Sequence, residues 1–245
     1  MNEFFKKIAD AGLDPDLKIG VGVGPGMEGR PIPYDKSRIK AQVLPMSVPD
    51  MVQSLSDGKI HAVVRGSALA TDMLPELKRI FCLNVIWRAA LLDVRDRPVW
   101  LIPVGIDEGR SMEERLQMAS TLANLTGAQR FGVISKGRPE DKNRGKDIAT
   151  ALLEGEEMAK RLSRQGLQAK HYGIQMELAF EECEALVLPD GVTGNLVFRS
   201  LHLVSGMPSY GALAINMEKP YIDTSRARRD LTDALAFAAF VATYM

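Results

Sequence analysis

The chain has 245 residues, with 31 lysines and arginines against 31 aspartates and glutamates and 46% apolar residues. That composition excludes disorder and fibres, leaves room for one large domain or two modest lobes, and points to no nucleic acid, anionic membrane or acidic partner, so any basic site is local. Two cysteines, Cys82 and Cys183, make neither a disulfide framework nor a four-thiolate zinc site and fit a reducing cytoplasm.

The opening MNEFFKKIADAG predicts a short amphipathic helix over 2–11 and has no apolar run of signal-peptide length. KIGVGV, QVLP and IHAVVRG read as three strands, separated by helical stretches near 49–57 and 69–79, the alternation of a parallel α/β sheet. In NVIWRAALLDVRDRPVWLIPVG two apolar runs flank the charged turn 94–97, which predicts a hairpin or a crossing between lobes. The clearest helix is 112–126: Ser111 and Glu114 form a capping box, Met112, Leu116, Ala119, Leu122 and Ala123 share a face, and Gly127 closes it.

RFGVIS is the next strand, followed by a helix near 147–165, LQAKHYG, a helical patch near 174–182 and the strand ALVLPD. A helix is expected over 193–205, ended by Gly206, then the strand SYGALAIN, the polar loop MEKPYIDTSRARRD and a last helix near 230–244. LAFAAFVATYM is too short to span a bilayer, so the expectation is a cytoplasmic chain without membrane contact. Two lobes are expected, 1–96 with 210–245 and 97–209, with a ligand cleft between them.

Four stretches carry candidate chemistry. At LVLPDGVTGN a strand stops at Pro189 and Asp190 and a helix begins, so free N–H groups and a positive dipole end meet a carboxylate. Gly24, Gly26 and Gly29 match G-x-G-x-x-G after a strand, but Pro31 and Pro33 deny the helix a dinucleotide site needs; the loop reads as one that lets backbones pass closely and can line a pocket. SKGRPEDKNRGKD lacks P-loop spacing and reads either as a solvated loop or as an anion clamp led by Lys136 and Arg138. DTSRARRD sets Ser225 and three arginines before a helix, suited to a phosphate or carboxylate or to plain surface charge.

His61, His171 and His202 lack the spacing of a helical metal site, so each reads as structural, His202 facing solvent or a partner, and no metal is expected. No G-x-S-x-G elbow occurs, and Cys183 lies among acids that raise its pKa, so no nucleophile is visible.

The order of these pieces resembles the phosphate acetyl/butyryl transferases. The matches in 186–226 are Pro189, Asp190, Gly194, Asn195, Gly211, Pro220, Asp223, Ser225 and Arg226, and DGKIHAVVRGSALATDML and RFGVISKGR are similar to upstream segments. The chain departs from that family where chemistry is done. Leu74 and Pro75 are adjacent where the family has an intervening arginine, Ala227 and Arg228 replace Gly-Cys, and the acid of the last helix is Asp233, with Asp230 as competitor.

The loop GVGPGMEGRPIPYD and the length look like the MtxX-type, methyltransferase-related family of methanogenic archaea. The resemblance implies an isocitrate/isopropylmalate dehydrogenase-like (phosphotransacetylase-like) α/β fold, a homodimer and a place in methanogenic C1 metabolism beside methyltransferase subunits. It implies a group transferase whose catalytic residues are Ser225, Arg226, Asp233 and Asp190. The ligand-binding residues are Lys136, Arg138, Gly194, Asn195, Gly24 and Gly26, and the cofactor is a thiol of the coenzyme A or coenzyme M type. The alternative is an accessory protein that kept the fold and lost the reaction; a metal-dependent decarboxylating or dehydrogenating enzyme ranks last, because carboxylates and histidines do not cluster.

Overall fold

A computed structural model describes residues 1–245, which divide into two compact units, Met1–Ile86 with Ser209–Met245 and Trp87–Pro208. In chain order the first unit opens with α1 (Glu3–Ala11), β1 (Lys18–Gly22), β2 (Gln42–Met46), α2 (Val48–Ser56), β3 (Ala62–Val64) and α3 (Ala70–Ile80). The second unit holds β4 (Arg88–Asp93), β5 (Pro98–Ile102), α4 (Met112–Thr126), β6 (Arg130–Ile134), α5 (Lys146–Arg164), β7 (Gln168–Gly173), α6 (Met176–Glu182), β8 (Ala185–Val187) and α7 (Gly191–Arg199). The chain returns to the first unit with β9 (Ser209–Ala214), β10 (Tyr221–Asp223) and α8 (Thr232–Tyr244). None of the helices is long and apolar enough to cross a membrane.

In the first unit the strand order is β2-β1-β3-β10-β9, parallel except for the antiparallel pair β10–β9. β10 lies inside what the sequence reads as a polar loop. Its three residues are a strand because Tyr221 and Ile222 pair with Val63 and Val64 on one side and Ile222 pairs with Leu213 on the other. The apolar excess of α8 is used within this unit: Leu235, Phe237, Ala238, Phe240 and Val241 are buried, and Phe240 meets Phe4 of α1 edge-on. α8 is therefore core and leaves little apolar surface for a second copy.

In the second unit the order is β4-β5-β8-β6-β7. The charged turn 94–97 closes the antiparallel hairpin β4–β5, in which Ala90 faces Leu101, and the remaining pairs are parallel. α4 starts where Ser111 Oγ accepts the Glu114 N–H and ends at left-handed Gly127. The reciprocal arm of the box is displaced by one residue, since the Glu114 carboxylate accepts from the Arg110 N–H.

α7 begins two residues earlier than the sequence suggests, because Asp190 is its N-cap and accepts the Thr193 N–H at 2.7 Å. Gly191 and Gly194 let the helix press onto the 103–108 loop: a Cβ at these positions would lie 1.6 Å from the Gly105 oxygen and 1.8 Å from the Pro103 oxygen. The last turn, 200–204, is π-helical, and His202 is half-buried there with Nδ1 2.8 Å from the Met207 oxygen. Beneath the same loop Arg88 Nε meets Glu108 Oε1 at 2.5 Å with both groups buried. Burial pushes the Glu108 carboxyl up to about 7, against the pull of Arg88 and its backbone N–H.

A candidate ligand pocket at the strand ends of the second unit

β6 and β8 are neighbours, but the chain leaves them in different directions: β6 continues through α5 to β7 on its far side, and β8 continues into α7, which packs on β5. Adjacent parallel strands whose connections diverge leave a crevice outside their carboxyl ends, and ligands of open α/β sheets bind in such crevices. Here the crevice is a cavity of about 390 Å³, and Arg115, Ser135, Lys136, Glu154, Pro189 and Asp190 are among its lining residues.

Arg115 is its main cation. It projects from α4, half-buried, and Nη1 donates to the backbone oxygens of Gly109 (3.0 Å) and Pro189 (2.6 Å). Burial lowers its pKa, opposed by the charges of Glu154, Asp190 and Glu114; a guanidinium stays charged even so. Its ordered contacts are thus with carbonyls, and part of its fork is left for an anion. Lys136 is more exposed and reaches Asp147 at 3.3 Å, a pair solvent keeps weak. Asp190 spends both oxygens on Thr193, Oδ1 on its N–H and Oδ2 on its hydroxyl at 3.1 Å, and so fixes the start of α7.

The other sequence candidates of this unit do not line the pocket. The Arg138 N–H binds Asp141 and its side chain is exposed, at the cap of the short 3-10 turn 139–144. Asn195 Nδ2 donates to the Val104 oxygen at 3.0 Å, and Gly194 serves the close approach to Pro103, so both shape the loop beneath α7. No group of three or more His, Cys, Asp or Glu side chains in the structure could hold a metal ion.

In the first unit the candidates sit at the ends of β1, β3 and β10. The chain after β1 passes through turns instead of a helix. Gly24 donates its N–H to Ser67 Oγ at 3.0 Å, and a Cβ there would meet the Ser67 oxygen at 2.3 Å; Gly26, at φ 75°, takes the left-handed turn position. Ser225 Oγ accepts the Ala227 N–H in a tight turn, and Arg226 is exposed, lining a small cavity of about 100 Å³ with Arg30, Ser67 and Arg228. Arg228 is largely buried and donates to the Ser209 and Asp230 oxygens, while Asp233 binds Arg38 at 2.8 Å and lies 3.8 Å from Arg228. Arg65 is likewise occupied, at 2.6 Å from Asp223 and bonded to the Thr224 oxygen.

Three residues of the second unit were not singled out as functional from sequence: Arg115, Ser135 and the glycine that supports their neighbourhood, Gly155. Arg115 lies in a run of charges on α4, where only contact with a residue 74 positions away distinguishes it. Gly155 does carry a signal, since a glycine inside a long helix is destabilising by about 0.5–1 kcal/mol relative to alanine and invites a reason.

No family model matches the sequence. It is 34% identical over 212 residues, 84% of this chain and 78% of the relative, to a Methanosarcina barkeri protein with the provisional name methyltransferase mtx subunit X. It is 36% identical over 187 residues, 73% of each chain, to an uncharacterized methyltransferase of Methanopyrus kandleri.

Among solved structures it resembles a Streptococcus pyogenes phosphotransacetylase, with TM-score 0.66 and 14% identity over 99% of this chain and 98% of that one. A branched-chain phosphotransacylase of Enterococcus faecalis gives 0.65 and 12% over 94% and 100%. A 4-hydroxythreonine-4-phosphate dehydrogenase of Klebsiella pneumoniae gives 0.52 and 8% over 97% and 84%. These likenesses show the fold, phosphotransacetylase-like within the isopropylmalate dehydrogenase-like class, and at such identities they show the fold alone.

Proposed function

Because this chain belongs to the methyltransferase mtx subunit X family and has the phosphotransacetylase-like fold, we propose that it serves methanogenic C1 metabolism as a methyltransferase-related group transferase. Its ligand is an anionic or thiol-bearing small molecule, held in the crevice at the ends of β6 and β8. The observation that carries this reading is Arg115: a half-buried guanidinium that lines a cavity of ligand size and has carbonyls, not a carboxylate, as its ordered partners. A guanidinium fork matches a carboxylate, phosphate or sulfonate, and Lys136 adds a second, mobile charge. A thiol cofactor of the coenzyme A or coenzyme M type has both an anionic part for Arg115 and a sulfur to carry the transferred group. The Asp190 carboxylate beside it, which keeps lone pairs beyond its two bonds to Thr193, is a proton acceptor for that thiol, and the thiolate is the attacking species.

Ser225 and Arg226 of the first unit are the residues the transferase resemblance assigns to the charged part of a donor. Arg226 is exposed and free of an ion pair, which supports that role; Asp233, the acid of the same resemblance, is occupied by Arg38. That occupied acid favours the second reading, a non-catalytic subunit of a methyltransferase, to which the word subunit in the relatives' names also fits. The homodimer of the resemblance now looks to α7 instead of α8, because Val192, Leu196 and Val204 are exposed apolar side chains along 191–204. Mass measurement in solution decides it.

The test of ligand class is a thermal-shift series with coenzyme A, its acyl esters, coenzyme M, methyl-coenzyme M, S-adenosylmethionine, NAD and phosphate. A ligand that binds only the folded state raises the melting temperature with concentration. A thiol cofactor or its ester giving the largest rise, lost in Arg115→Ala, is the expected result. Equal rises in wild type and variant move the ligand away from this pocket, and no rise with any of them supports the subunit reading.

A further inference from the structure

We propose that Ser135 and His171 form a base-activated hydroxyl that opens on the β6–β8 pocket and accepts an acyl group from an acyl thioester bound there. This rests on the reading of that pocket as the ligand site. Ser135 Oγ lies 2.7 Å from Nε2 of His171, and Ser135 lines the pocket while His171 stands behind it. A nucleophile within hydrogen-bond reach of a neutral imidazole is the arrangement that activates a serine.

Three features build this pair. β6 and β7 are parallel with Val133 opposite His171, and Ser135, two residues on, points to the same side of the sheet. The ring of His171 lies against α5 at Gly155, where a Cβ would come within 2.4 Å of Nε2; only glycine admits the imidazole at that depth. Burial keeps His171 below its ordinary pKa, with Glu156 of α5 acting the other way, so the imidazole is neutral and can take a proton. With Nε2 accepting from Ser135, the ring proton sits on Nδ1, the tautomer a general base requires.

The step balances without redox chemistry or a metal. Ser135 Oγ bonds to the acyl carbon as its proton passes to Nε2 of His171. The C–S bond breaks with its electron pair on sulfur, and the imidazolium returns the proton to that thiolate. Water then attacks the Ser135 ester, with His171 taking and returning a proton in the same way, to give the carboxylic acid. Arg115 and Lys136, the two cations that line the pocket, favour the negative charge that develops on the carbonyl oxygen.

A fluorophosphonate tests this directly, since attack by an activated serine breaks the P–F bond and leaves a stable P–O adduct that mass spectrometry maps. The expected result is one adduct on Ser135 of the wild-type protein, absent in Ser135→Ala and formed about 100-fold more slowly in His171→Gln, the scale of a lost general base. Mapping in the wild type needs no variant to fold. No adduct, an adduct at another residue that survives Ser135→Ala, or equal rates in His171→Gln overturns the proposal. The two readings fail separately: a thermal shift lost in Arg115→Ala with Ser135 inert sinks the dyad and leaves the binding site. Ser135 labelling with no shift from any thiol ester, and no protection by one, sinks the ligand assignment on which the proposal rests.

Discussion

The two units place cations at the carboxyl ends of parallel strands in opposite states. In the first unit the buried guanidiniums are consumed by their own fold: Arg65 by Asp223 and Thr224, Arg228 by the Ser209 and Asp230 oxygens beside Asp233. In the second, Arg115 is held at one nitrogen by two carbonyls and faces a cavity of about 390 Å³. A buried cation held at two nitrogens by groups of its own fold is a structural joint; one anchored at a single nitrogen, beside a cavity, is equipped to meet a ligand.

The largest expected effect comes from filling the close contact between α7 and the 103–108 loop. Gly191→Ala sets a methyl 1.6 Å from the Gly105 oxygen, a backbone atom that cannot swing aside, so α7 must move. A loss of about 3 kcal/mol or more is expected in denaturant unfolding; a midpoint close to wild type would mean that the loop 103–108 yields freely.

Arg228→Ala and Arg115→Ala then separate the two kinds of arginine. The first strands the carbonyl of buried Ser209 and removes a charge beside Asp233, so a loss of about 1–3 kcal/mol is expected, read by the melting temperature. The second is expected to leave folding nearly intact and to weaken an anionic ligand at least about tenfold, read by calorimetry. Reversal of the two patterns would break the distinction between them. Asp190 sharpens it further: Asp190→Ala loses the cap of α7, about 1 kcal/mol, while Asp190→Asn keeps an N-cap and removes only the charge. A ligand effect in Asn with an unchanged melting temperature marks the carboxylate as part of the site; a drop in both variants marks it as structural.

What was legible in the sequence is what local chemistry fixes. α4 announces itself by Ser111 at one end and Gly127 at the other, and both caps are formed by residues within a few positions of each other. The turn at Asp190 is legible for the same reason, although the helix starts at the residue after the carboxylate and not at Thr193. β10 was not legible, because three residues become a strand only through partners some 158 positions and 9 positions away. Arg115 and the Ser135–His171 pair were hidden for a like reason: each is defined by a contact between elements, and an arginine on a charged helix or a lone histidine on a strand carries no mark of it.

The smallest effect is the most pointed. Since burial lowers the His171 pKa, the unfolded chain binds a proton at this site more readily than the folded one, and stability rises with pH in that window. Its contribution is full above the ordinary value of 6.5 and is lost as pH falls below it toward the lowered folded value. Wild-type melting temperature is therefore expected to fall more steeply than that of His171→Gln as pH drops below 6.5. Identical slopes would mean that the folded imidazole protonates as readily as a free one, and that burial in the β6–β7–α5 layer does not favour its neutral form.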